Sequence, residues 1–333
     1  MTKKLIIACT ALLWSAALIA QSISVVAPDG TTKLYQTLTK AIEGASGGSV
    51  IYLPGGGFPI NDSVKITKKL TIIGIGHKIK TENPDGYTTI GGNLFFNQGS
   101  DGSALMGCYV TGTVHIGNDA KVDDVLIRCN NINHVWVGNG SMGTNINQNY
   151  LREGANFTGT SGRVTNNVTK YVRDLDDGFI SNNIITDYSG YESYVRAAIF
   201  LCDRTSITNN IIFSDNIGRE GSSSFYRYIH TGSNCFASGN MCMVNWGDDC
   251  INLGGEGFSW SNVFENWNGI SATSNFKFKE EYKQYEGKVG IYGGTKFSDD
   301  QLAPVPYIVG KDIPEQTDAA GQLHVKIRVK AGE

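Results

Sequence analysis

The sequence predicts an all-β chain, a right-handed parallel β-helix (solenoid), with a short helix capping its N-terminal end. A short phrase ending in Asn returns seven times. It reads Ile127-Arg-Cys-Asn130, Ile146-Asn-Gln-Asn149, Val164-Thr-Asn-Asn167, Ile180-Ser-Asn-Asn183, Ile207-Thr-Asn-Asn210, Ala237-Ser-Gly-Asn240 and, degraded, Ser259-Trp-Ser-Asn262. The spacings are 19, 18, 16, 27, 30 and 22 residues, the mark of units that bury their apolar sides by stacking on one another. The apolar runs within a unit, such as Ile211-Ile212-Phe213 and Ala198-Ile199-Phe200-Leu201, are short and rich in β-branched and aromatic residues, as strands are. Asn suits a corner between strands, since it tolerates left-handed backbone angles and its amide bonds to backbone. Stacked about 4.8 Å apart, as strands in any sheet are, the Asn side chains can bond to their copies above and below.

The capping helix is expected over 31–44. Thr31 or Thr32 serves as its cap, Leu34, Leu38, Ala41 and Ile42 follow helical spacing, and Gly44 stops it. Such a cap covers apolar core and unpaired strand groups at an open end. Strands follow at Ser49-Val-Ile-Tyr-Leu53 and Leu70-Thr-Ile-Ile73, with a turn at Pro54-Gly-Gly-Gly57. Less regular units occupy 87–125, and the regular block runs on to about Phe264. After Ser274 the composition turns charged and proline-bearing, and Leu323 to Lys330 alternates as a strand with one wet face does. The expected division is a signal peptide over 1–20, the β-helix with its cap over 21–274, and a C-terminal cap or small β appendage over 275–333.

The leader starts Met1-Thr-Lys3-Lys4 and runs apolar from Leu5 to Ala20, a basic start and short apolar core that read as a secretory signal. Cleavage after Ala20 or Ser22 gives a secreted chain, periplasmic, surface-bound or extracellular. No second apolar run approaches the about 20 residues of a membrane span, so no span is expected in the mature chain. The 28 basic and 31 acidic side chains give −3, and loss of Lys3 and Lys4 takes this to −5. That balance argues against a nucleic-acid partner, which needs a basic surface. The six mature cysteines, Cys108, Cys129, Cys202, Cys235, Cys242 and Cys250, meet oxidising conditions in an exported chain. Disulfides are therefore open to them; so is a role as small buried residues of the interior. No zinc spacing occurs.

Counting back from each anchor Asn, offset −11 gives Val172, Ile199, Ile229 and Ile251, all apolar and expected to point inward. Period 2 then turns offsets −10, −12 and −14 outward. These include Arg173, Phe200, His230 and Asn252, then Tyr171 and Tyr228, then Arg196, Tyr226 and Asp248. A wet face needs only small polar residues, so this collection of Tyr, Arg, His and Asp reads as a binding or catalytic face as well as a solvated one. The two longest spacings flank it and hold loops, in which Tyr188, Tyr191 and Tyr194 offer flat rings to sugars or to loop packing.

Val50 to Gly56 and Leu70 to Gly74 resemble the "Val-x-Leu-Pro-x-Gly" turn and "Leu-Thr-Ile-x-Gly" unit of secreted bacterial pectin-lyase-like β-helix proteins. Gly247-Asp248-Asp249-Cys250-Ile251 resembles a five-residue element of polygalacturonase-type glycoside hydrolases, in which paired carboxylates serve acid and base roles across a glycosidic bond. The resemblance implies those roles for Asp248 and Asp249. A polysaccharide lyase is the other enzyme expectation. Arg173, Arg196 or Arg227 would neutralise a uronate carboxylate and Tyr228 or His230 would take the proton, with Ca2+ on Asp248 and Asp249 as an alternative neutraliser. The expected partner is a polysaccharide, cleaved at Asp248, Asp249, His230, Tyr228 and Arg227 and held by Tyr171, Arg173, Arg196, Tyr226, Tyr191 and Tyr194. The alternative is a non-catalytic carbohydrate-binding, adhesion or surface structural protein.

Overall fold

The computed structural model describes residues 22–77, 86–138, 140–186, 195–196, 198–212, 225–226, 229–230, 234–242, 251–252, 260–271, 273–295, 297, 302–314 and 316–330. For 195–196, 225–226, 229–230, 252, 260, 307–309 and 311 it describes the backbone alone. The expected leader, 1–20, lies outside the described residues.

The strands form two long walls, and the chain passes from one to the other repeatedly. Wall A opens antiparallel, with Ile23–Val26 between Thr32–Tyr35 and Ser49–Leu53. From Ser49–Leu53 onward both walls are parallel. One apolar residue per passage aligns down wall A: Ile51, Ile72, Leu105, Ile127, Ile146, Val164, Ile180, Ile207 and Ala237 face one another in order. The first eight are wholly buried. A slip of one residue would turn any of these strands inside out, so burial fixes the register. Wall B mirrors this row with Leu94, Val114, Val135, Ala155, Val172, Ile199 and Ile229.

Between the walls sits an asparagine ladder. Asn130, Asn149, Asn167, Asn183, Asn210 and Asn240 are wholly buried. Each Oδ1 from Asn149 onward accepts the backbone N–H and the Nδ2 of the Asn one passage earlier, at 2.9–3.1 Å. Each Nδ2 also donates to a backbone carbonyl of the preceding passage, for example Asn149 to Ile127 O at 2.8 Å and Asn210 to Ile180 O at 2.9 Å. Buried amides are retained only when satisfied in this way. The left-handed residue of the corner is not the ladder Asn, as expected, but the one before it. Cys129, Gln148, Asn166, Asn182 and Asn209 take φ of 54 to 58°, and Gly239 takes 65°. The seventh phrase makes no corner, because Asn262 falls within the short helix Trp260–Val263.

The capping helix is shorter than the spacing predicts. It spans Leu38–Gly44, its cap is Thr37, whose Oγ1 accepts from Lys40 N, and it buries Leu38, Ala41 and Ile42. Thr32–Tyr35 is instead a strand, and Leu34 is 67% exposed. The match of Leu34 to helical spacing was a coincidence that the partner strand Ile23–Val26 overrides.

After Ser274 the chain returns across the walls. Phe264, Phe276 and Phe278 are buried around a two-stranded turn. Gly290 N donates to Asn209 O at 2.9 Å, and Gly290 sits against Ile211 and Ile184. Asn166 Nδ2 donates to Ile291 O and Gly293 O. This explains why Ile184-Ile185 and Ile211-Ile212 are apolar at adjacent positions: both members are buried, one of them under the returning segment. Further on, Ala303 packs on Ile73, Ala104 and Met106 of wall A. The tail strand is Lys326–Lys330, paired with Tyr307–Asp312. Leu323, Val325, Ile327 and Val329 are about half exposed, so both of its faces are wet rather than the one that alternation predicts. No described helix is long and apolar enough to cross a membrane.

Candidate functional site

The outer face of wall B carries an aligned row. Phe95, His115, Trp136, Asn156, Arg173, Phe200 and His230 face one another through successive strands. Their neighbours Val114, Ile116, Val135, Val137, Ala155, Phe157, Val172 and Ile199 are wholly buried. Strand alternation therefore turns the row from Phe95 to Phe200 outward, with Phe95 and Phe200 themselves covered. A second row runs two residues upstream, where His134 and Tyr171 flank Gly154.

The rings along these rows touch. Lys65 Nζ lies 3.3 Å from the Phe95 ring centre, and Phe95 stacks on His115 at 4.6 Å with 4° between planes. His115 lies 5.9 Å from Trp136. Tyr171 sits between His134 and Phe200, with ring centres 6.1 and 6.0 Å away, and its hydroxyl is 3.1 Å from His134 Nε2. The Arg173 guanidinium lies 5.2 Å from the Phe200 ring centre, its Nε donating to Asp174 Oδ2 at 2.8 Å. Lys170 and Glu153 pair at 2.9 Å on the rim.

Gly154 makes the His134–Tyr171 contact possible. A Cβ there would come within 2.7 Å of the Tyr171 ring, which crosses that strand to reach His134. Burial, reinforced by His115, pushes the His134 imidazole down to about 4. At neutral pH His134 is therefore uncharged and its Nε2 can accept the Tyr171 proton. Burial also lowers His115, against a pull from Asp62. The face thus offers the half-buried rings of His115 and Trp136, a neutral imidazole–phenol pair and the cations Lys65, Arg173 and Lys170.

Of the expected site residues, Tyr171, Arg173 and His230 fall on this face, His230 by its backbone position opposite Phe200. Arg196 and Tyr226 do face each other, but in a separate two-stranded ladder. Asn252 does not join the row, because Ile251 pairs with Met241 rather than Ile229 and carries Asn252 beside Cys242. Counting back fails there because Asn262, the anchor of the count, lies in the helix Trp260–Val263 and makes no corner. Asp248, Asp249, Arg227, Tyr228, Tyr191 and Tyr194 lie outside the described residues, and with them the expected calcium ligands. Among the described residues no group of three His, Cys, Asp or Glu is arranged to hold a metal. Cys108, Cys129 and Cys202 are buried free thiols, Cys242 is buried, and Cys235 is half-buried. Asp123 and Asp176 are turn residues, accepting backbone N–H of Met142 and Asp203 in the next passage.

Sequence reasoning missed Phe95, His115, Trp136, His134 and Gly154. A signal was available. Counted forward from the corner, Trp136 follows Asn130 by six residues and Arg173 follows Asn167 by six, each directly after an inward apolar residue, Val135 or Val172. No family model matches the chain, and no curated protein or solved structure matches it.

Proposed function

We propose that the chain is an exported parallel β-helix of the pectin-lyase-like kind, and that the outer face of wall B binds an acidic polysaccharide. The row from Phe95 to His230 carries this reading. A strand spacing of about 4.8 Å sets successive side chains at a separation close to the length of one sugar unit. Of the rings in this row, those of His115 and Trp136 are partly exposed; Trp136 would lie against the apolar face of a sugar, leaving polar edges to Asn156 and carboxylates to Arg173. The test is electrophoresis of the mature chain through gels containing polygalacturonate or a neutral glucan. Retardation by the acidic polymer alone, weakened about tenfold by Trp136→Ala and by Arg173→Gln, supports the reading. Equal mobility of all three proteins removes it.

The Tyr171–His134 bond favours a second, catalytic version, a lyase. Tyr171 would take the proton from C5 of a uronate while passing its own to His134. The C5–H electron pair then forms the C4=C5 double bond, and the C4–O bond breaks with its pair to the leaving oxygen, which takes up a proton. Arg173 would hold the carboxylate. Absorbance of unsaturated ends, abolished in Tyr171→Phe, tests it; binding without new ends leaves a carbohydrate-binding or surface module.

A further inference from the structure

The tail ribbon belongs to neither wall. Among the described strands Tyr307–Asp312 and Lys326–Lys330 pair only with each other, and every residue of Lys326–Lys330 is exposed. A sheet of two strands is marginal in water, and a third strand on one face-bearing edge is the usual remedy. The two edges of this ribbon differ. The register slips between Ile308 and Gly310, a bulge that bends that strand. Lys326–Lys330 carries neither Gly nor Pro, and alternate N–H and C=O groups along it point away from its partner. It is the regular, open edge.

Alternation sorts the side chains of that edge. Ile327 and Val329 share one face and are half exposed or more. Lys326, Arg328 and Lys330 share the other. Opposed residues of a strand pair lie on one face, so the register sets a single carboxylate, Asp312, against the basic row, opposite Lys326, with Gly310 opposite Arg328. The Arg328 guanidinium rests over Gly310, where a Cβ would come within 2.8 Å of Nη2.

The two rows select the partner. A lipid surface meets the ribbon from one side and engages the apolar row or the basic row, not both. A second copy of the same strand brings like charges side by side, which destabilises the pair and is how basic residues guard an edge. A strand that alternates apolar with acidic residues sets carboxylates beside the cations and apolar side chains beside Ile327 and Val329, while its backbone fills the edge. We infer that Lys326–Lys330 accepts an extended, alternately apolar and acidic segment of another protein as a third strand. The inference is independent of the sugar reading of wall B.

The test is fluorescence anisotropy of labelled seven-residue peptides, four Val alternating with three Glu, titrated with the full mature chain. Control peptides carry Lys for Glu, the same residues with the three Glu together, or a methyl group on every amide nitrogen. Binding of the alternating Glu peptide at least tenfold tighter than of any control, weakened at least tenfold in the double variant Lys326→Glu, Arg328→Glu, supports the inference. So does a switch of that variant to the Lys peptide. Circular dichroism of the variant confirms the fold. The inference is overturned if the Glu peptide does not bind, if a control matches it, or if its binding survives the double variant. It is overturned equally if the peptide is ignored while phosphatidylglycerol vesicles, or a second copy seen by sedimentation, are bound by the parent chain and lost in the double variant.

Discussion

Replacing Asn167 by Ala removes the middle of the asparagine ladder. Asn167 Oδ1 accepts from Asn149 N at 2.9 Å and from Asn149 Nδ2 at 3.0 Å. Its own Nδ2 serves Ile146 O at 2.8 Å, Thr165 O at 3.0 Å and Asn183 Oδ1 at 3.1 Å. The substitution strands the buried N–H of Asn149, whose Nδ2 keeps Ile127 O and Asn147 O, and weakens the satisfaction of three acceptors. At about 1–3 kcal/mol for each buried group left unpaired, with part recovered by any water admitted to the space, the loss is about 3 kcal/mol. Equilibrium unfolding in urea, at unchanged m-value, reads this directly. Ser181→Ala on the outer face of wall A is the control and stays within about 0.5 kcal/mol. Asn167→Asp adds a signed test. It keeps the acceptor but sets a second oxygen against two carbonyls, so the variant gains stability relative to wild type as pH falls and the carboxyl protonates. A loss below about 1 kcal/mol for Asn167→Ala, the size of an ordinary surface truncation, would refute the claim that the ladder holds the corner.

Further outcomes follow from the same geometry. Gly154→Ala drives a Cβ into the Tyr171 ring, at a cost of about 1–3 kcal/mol for overpacking. His134 then titrates closer to its ordinary value, which imidazole NMR resolves; an unmoved titration contradicts the contact. His134 is held low, to about 4 against 6.5, so the unfolded chain binds its proton first as pH falls. Stability is therefore retained above about pH 6.5 and declines toward pH 4, by about 3 kcal/mol in total from this group. His134→Gln flattens that part of the profile, and an unchanged slope contradicts the assignment. Cys108 and Cys202 are buried, with thiols pushed up to about 12. They react with a thiol reagent only at the rate of global unfolding, and prompt reaction in the native state contradicts their placement. Ile180→Ala, in the inward row of wall A, costs about 2–5 kcal/mol by denaturant titration; a cost under 1 places it outside the core.

Much of the architecture is legible in the residues. The recurring Asn fixes the corner because a buried amide needs partners at fixed places, and the apolar row Ile127, Ile146, Val164, Ile180 and Ile207 follows from period 2 once the corner is set. Leu34 misled because helical spacing over one turn occurs by chance, and only the partner strand decides. The return of Gly290 to Phe297 over Ile184 and Ile211 left a trace in those doubled isoleucines, but its path depends on long-range packing. On the candidate face, Arg173, Phe200 and His230 could be aligned from the repeat. Asn252 could not, since its anchor phrase at Asn262 forms a short helix instead of a corner. His134 and Tyr171 lie 37 residues apart, and their meeting depends on the missing side chain of Gly154.

The most direct measurement is a crystal structure of the mature chain soaked with an oligogalacturonate. The account predicts sugar rings along the outer face of wall B, over Trp136, Arg173 and Phe200, with a carboxylate on Arg173. An oligosaccharide that binds the protein yet leaves that face bare would contradict it.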